Sequence, residues 1–126
     1  MPEDSAGFHE PLDLLQQKTM DMHRAVVSVV EELQAIDWYS QRVDATKDPE
    51  LRAILEHNGN EEKEHAAMIL EWIRRKDPVF ENHLRTYLFS KGSIVKKEEA
   101  ETAAGANGKR GGAAPASIGS LREVAR

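Results

Sequence analysis

The sequence predicts an all-α fold: an antiparallel two-helix hairpin followed by a short third helix, with two hairpins dimerising into a four-helix bundle. Three observations predict it. Apolar residues recur at spacings of three, four or seven through most of residues 11–90, the period of one helix face. The pair Asp-Pro occurs at Asp48-Pro49 and again at Asp77-Pro78, each time joining a capping residue to the proline that suits a first helical position. At 126 residues, the chain has room for a single domain of this kind.

The first helix is expected to start at Pro11 and run to about Asp44. Its stripe is Leu12, Leu15, Thr19, Met22, Val26, Val29, Leu33, Ile36 and Val43, with no glycine or proline until "DATKDPEL". Such a helix is roughly 50 Å long. The second follows Pro49 through Leu51, Leu55, Asn58, Glu62, His65, Ile69 and Trp72. A shorter third follows Pro78 through Leu84 and Leu88 and stops at "SKGS", Ser90 to Ser93. A lone hairpin leaves one apolar face of each helix uncovered, so a second copy is expected to complete the bundle.

Beyond Ile94 the composition shifts. "KKEEAETAAGANGKRGGAAPAS" lacks large apolar residues, so it cannot bury a core and is expected to be a disordered tail. Ile118, Leu121 and Val124 then reappear in "SIGSLREVAR". The chain thus divides into a helical domain, residues 1–90, a disordered linker, residues 91–116, and a C-terminal peptide, residues 117–126.

Composition excludes several functions. There is no cysteine, hence no disulfide framework, zinc–thiolate site or iron–sulfur cluster. The net charge of −5 conceals an asymmetry: residues 1–90 are acidic and residues 91–126 basic. An acidic body argues against nucleic acid, whose phosphates need basic surface, and suits cations. No apolar run is long enough for a bilayer. "MPEDSAGFHE" does not read as a secretory signal, which leaves the cytoplasm as the expected compartment.

The chemistry gathers in "EEKEHAAM", Glu61 to Met68. Of the five histidines, only His65 has a glutamate three residues before it, and that spacing puts Glu62 and His65 on one helical face. Ferritin-like di-iron bundles use two Glu-x-x-His helices and a glutamate from each of two others; this chain carries half that set. The lone glutamate is Glu32, the one charge on the stripe Ala25, Val29, Glu32, Ile36, Tyr39 and Val43. Glu31 lies about 100° around the helix and faces outward. Two copies would bring together two each of Glu32, Glu62 and His65, an oxygen-rich set with two imidazoles that suits iron. Tyr39, seven residues after Glu32, is placed to support it. On its own, the same pattern also reads as Glu62 paired with Lys63 or a neighbouring arginine. His57, Glu61 and Glu64 form a second stripe, open to two readings: a solvated face or a surface metal site. Trp38 and Trp72 read as packing residues.

With these residues in view, the sequence resembles the encapsulated ferritin family. The resemblance covers about Glu10 to Phe89 and rests on "HRAVVSVVEELQAIDWY", "DPELRAILEHN", "EEKEHAAM" and "HLRTYLF". It implies two-helix subunits that pair into a ferritin-like bundle, with the pairs forming a decameric ring. It also implies a di-iron ferroxidase site between subunits, matching Glu32, Glu62, His65 and Tyr39. A site where metal enters matches Glu31 and Trp38, but Gln34 replaces its second glutamate. An outer site matches His57, Glu61 and Glu64. Ca2+ or another divalent cation is the ion expected at these two peripheral sites. The family works inside an encapsulin shell, and "SIGSLR" resembles the peptide that docks such cargo. Ile118, Gly119, Ser120, Leu121 and Arg122 would make that contact, with Ile118 and Leu121 as anchors.

The expected activity is therefore oxidation of Fe(II) to Fe(III), feeding iron storage within a cytoplasmic nanocompartment. Two other readings use the same residues. One is an adaptor whose metal only fixes the oligomer; the other is a peroxidase or manganese enzyme, since the ligand set also accepts Mn(II).

Overall fold

The computed structural model describes residues 7–108. It is all-helical over that span, with α1 at Gln17–Ala45, α2 at Pro49–Lys76, α3 at Pro78–Tyr87 and α4 at Ile94–Gly108. The chain divides into two units at the boundary between Lys76 and Asp77. The first holds α1 and α2; the second holds α3 and α4.

The first helix begins later than the sequence suggested. Pro11 introduces a 3-10 turn at Leu12–Leu14, after which Leu15 and Gln16 are extended, with ψ of 140° and 154°. Two consecutive extended residues cannot carry helical hydrogen bonding through, so α1 starts at Gln17. The segment before it returns along α1: the Phe8 and His23 rings stack with centroids 4.1 Å apart.

The Asp-Pro boundaries behave as capping chemistry requires. Asp48 accepts the Leu51 amide at 2.8 Å, and Pro49 opens α2. Asp77 accepts the Val79 and Phe80 amides at 3.1 and 3.0 Å ahead of Pro78. Each aspartate satisfies N–H groups that have no partner within the helix and adds negative charge at its positive end. At the other end of α2, Glu71 chelates Arg74 at 2.8 and 2.7 Å and meets Arg75 at 2.7 Å. Arg74 and then Arg75 hold its carboxyl down at about 2.

Only Thr46, Lys47 and Asp48 separate α1 from α2, so the two helices pack side by side and antiparallel. Tyr39 stands against Gly59, Glu32 against His65, and Asp21, Arg24 and Ala25 share a groove with Ile69 and Trp72. The facing stripe of α1, namely Ala25, Val29, Glu32, Ile36, Tyr39 and Val43, is half-buried along its length. Burial is scarce: among described residues only Gly59 and Ile73 are buried. Val26, Val30 and Leu33, a stripe at i, i+4 and i+7 of α1, remain exposed, as do Leu51, Ile54 and Met68 on α2. No helix among the described residues is long and apolar enough to cross a membrane.

The stretch after residue 90, expected to be disordered, instead carries α4 as far as Gly108. Phe89 and Gly92 adopt left-handed backbone, with φ of 61° and 86°, and break the chain after α3. Ser93 then accepts the Lys96 amide through its hydroxyl at 3.1 Å. The run "KKEEAETAA" consists almost wholly of strong helix formers. The absence of large apolar residues made this segment read as disordered, but a capped run of high propensity forms a helix without a core. Residues 109–116 of the expected linker, and the peptide at 117–126, lie outside the described residues.

Candidate metal centre

Glu32 comes from the middle of α1 and Glu62 and His65 from the middle of α2, far from any fraying end. Glu62 and His65 are one turn apart, and the His65 Nδ1 lies 3.2 Å from Glu62 Oε1. Glu32 Oε1 approaches the same nitrogen from the opposite helix at 3.8 Å. One ligand atom from each residue lies within 4.8 Å of the others. Among the described residues, this is the one such cluster of three or more histidine and acidic side chains. The Glu32 and Glu62 side chains keep 24% and 23% of their exposure, and His65 keeps 47%. The cluster is shielded on the hairpin side and open on the other.

Its electrostatics are those of two carboxylates brought too close. A hydrogen bond with Glu62, helped by desolvation and by Glu62's charge, raises the Glu32 pKa above its ordinary value. The same bond, with His65 assisting, lowers that of Glu62. The two carboxylates therefore titrate as a pair and not independently. A cation bound between them would relieve their repulsion. Carboxylate oxygens with one imidazole are hard-to-intermediate donors, a set that fits iron or manganese better than a soft metal.

Tyr39 lies on α1 two turns along from Glu32, with its Cβ over Gly59 and Arg42 stacked 5.2 Å from its ring centroid. Glu31 is exposed, as expected, and its charge contributes to raising the Glu32 pKa. Trp38 is 52% exposed and, like Glu31, stands outside the cluster of three. His57 and Glu61 form an exposed pair 3.8 Å apart, whereas Glu64 is exposed along a shallow groove with Met68, Glu71 and Trp72. Gly59 escaped the reading of the sequence. Its signal was available, since an isolated glycine inside a helical pattern usually marks a packing contact.

Against known families, residues 7–91 match the EncFtn-like family model. The chain is 58% identical over 108 residues to the encapsulated ferritin-like protein of Rhodospirillum rubrum, covering 86% of this chain and 77% of the relative. It is 36% identical over 93 residues to the encapsulin nanocompartment cargo protein EncC of Myxococcus xanthus, covering 73% and 71%. Among solved structures, it superposes on protein ne0167 of Nitrosomonas europaea with a TM-score of 0.68 and 59% identity, covering 70% of this chain and 97% of that one. With its hairpin, its carboxylate–imidazole cluster and these similarities together, the chain belongs to the EncFtn-like family of encapsulated ferritins.

Proposed function

We propose that the protein is a ferroxidase, oxidising Fe(II) to Fe(III) at a di-iron site built between two subunits. One observation carries this reading: Glu32, Glu62 and His65 converge from two helices until their ligand atoms lie within 4.8 Å. Three donors are half of what two iron ions need, and a second hairpin related by a two-fold axis doubles them. The exposed apolar stripe of α1 gives that second copy something to cover.

Iron is the substrate here. Glu32 and Glu62 supply anionic oxygen, which stabilises Fe(III) over Fe(II) and so favours loss of an electron. His65 ligates as neutral imidazole. A cation between the two carboxylates competes with protonation of Glu32, so binding is expected to weaken as pH falls. Each pair of Fe(II) ions gives up two electrons, which dioxygen accepts with two protons to form peroxide. Tyr39, two turns from Glu32, supports the site from the hairpin side. Glu31 and Trp38 would guide metal inward, and His57, Glu61 and Glu64 would hold an outer divalent cation such as Ca2+. Pairs of subunits would close into a decameric ring, and Ile118 to Arg122 would dock on the inner wall of an encapsulin shell. The Myxococcus xanthus relative, an encapsulin nanocompartment cargo protein, supports that destination.

The test is Fe(II) oxidation with oxygen uptake in Glu32→Ala, Glu62→Ala and His65→Ala. Each variant is expected to lose at least tenfold in rate; wild-type rates in all three would overturn the proposal. Anomalous scattering at the iron edge is expected to show two ions about 3.5–4 Å apart, the spacing of two-metal sites. Metal-dependent assembly without oxygen uptake would instead make the protein an adaptor.

A further inference from the structure

The two helices of the hairpin make a close contact at Gly59, near the metal cluster. Gly59 is buried, and a Cβ placed there would stand 3.0 Å from the Tyr39 Cβ and 3.6 Å from its Cγ. Carbon atoms in contact sit about 3.5–4.0 Å apart, so a side chain at position 59 would push α1 and α2 apart by a few tenths of an ångström. The atom it would meet first is a Cβ, fixed to the backbone, and no rotamer change can move it aside. Gly59 lies one turn before Glu62 on the same face of α2, and Tyr39 lies two turns after Glu32 on α1. The spacing of α1 and α2 at Gly59 is therefore continuous with their spacing where Glu32 meets Glu62 and His65.

Glycine inside a helix costs stability relative to alanine, and α2 carries it mid-helix with no turn or positive φ to require it. Packing against Tyr39 is the reason on view. Metal coordination is less forgiving than packing. Metal–oxygen and metal–nitrogen bonds tolerate errors of about 0.2 Å, whereas an apolar interface absorbs a few tenths of an ångström by small side-chain shifts. The same displacement that the fold can absorb would pull Glu32 out of range of an ion held by Glu62 and His65.

We infer that Gly59 is a positioning residue for the metal centre: its missing Cβ sets the separation of α1 and α2 at which Glu32, Glu62 and His65 bind one ion. This rests on the proposed metal centre and adds the residue that holds its halves at ligating distance.

The experiment is Co(II) binding to the full-length chain, followed by its visible absorption and by calorimetry, in a double-mutant cycle. Gly59→Ala is expected to weaken Co(II) binding at least tenfold and alter the absorption band, with the thermal midpoint shifted by no more than a few degrees. Gly105→Ala, where a Cβ meets nothing within 4 Å, is expected to bind Co(II) like the wild type. In a Tyr39→Gly background, Gly59→Ala is expected to cost no further affinity, because the opposing Cβ is gone. Undiminished Co(II) binding by Gly59→Ala would overturn the inference, as would an equal loss in both backgrounds. If Gly59→Ala loses its helical circular dichroism, Gly59 serves the fold alone and the positioning role is overturned. Failure of the wild type to bind Co(II) would overturn the metal centre itself, and this inference with it.

Discussion

Glu32 and Glu62 face each other across the hairpin, each with about a quarter of its side chain still exposed. The raised Glu32 pKa means that the folded chain holds this proton more tightly than the unfolded chain does. Its stabilising contribution is therefore complete below the ordinary value of 4.5 and is lost as pH rises through the raised value. The depression at Glu62 works in the opposite sense at lower pH. Once Glu32 is deprotonated, its charge opposes that of Glu62 in the metal-free chain. Glu32→Gln is accordingly expected to raise the melting temperature of the metal-free protein by a few degrees at pH 7. That gain should shrink as pH falls into the Glu32 titration, and Co(II) binding should be lost. Calorimetric scans from pH 4 to 8 check it; a lower melting temperature at pH 7 would contradict it. At this scale the sequence was informative where chemistry is carried by a group that is present. Glu32, Glu62 and His65 announce themselves as polar residues on an apolar stripe. Gly59 acts through an atom it lacks, and that becomes visible only when the opposite helix is known.

The helices divide into those announced by their ends and those that are not. α2 and α3 start where Asp-Pro placed them, because a capping carboxylate followed by proline is a local instruction that needs no tertiary context. Asp77→Ala should free the Val79 and Phe80 amides, at a cost of about 1 kcal/mol to the first turn of α3. Hydrogen exchange should accelerate at those two amides and leave the middle of α2 unchanged. Uniform acceleration along the chain would mean that the cap supports more than α3. The start of α1 was harder to read. Pro11 can open either a helix or a single turn, and the extended Leu15 and Gln16 that decide the matter carry no sequence mark. α4 was missed for a different reason. Burial and propensity gave opposite answers for "KKEEAETAA", and the capped, alanine-rich run followed propensity.

The whole molecule is defined by what one copy leaves uncovered. Val26, Val30 and Leu33 line one side of α1, and Leu33 keeps 54% of its exposure. A monomer has little reason to present such a stripe, and the proposed metal site calls for a second copy to cover it. Leu33→Asp is expected to shift the protein toward monomer in sedimentation velocity and to weaken Co(II) binding at least tenfold, with helical circular dichroism retained. Wild-type assembly in that variant would place the self-contact on another face. The hairpin and the inward residues of one copy were legible because a repeating apolar period encodes them. What covers the exposed stripe was not legible, because a single sequence records which face is sticky and not its partner.

The side-by-side register of α1 and α2 has one more effect, on how this chain can vary in length. An α-helix turns 100° per residue. One residue inserted into α1 between Leu33 and Tyr39 would rotate everything before it by that amount. Glu32 would swing off the line it shares with Tyr39, and Leu33 would take its place opposite His65. A single deletion in α2 between Pro49 and Glu62 would do the same to the other half. Thr46, Lys47 and Asp48, which join the helices, make no such demand. Gains and losses of residues are therefore expected at that bend or outside the hairpin. Between Glu32 and Glu62 each helix works as a fixed gear, tolerant of substitution but not of a missing tooth.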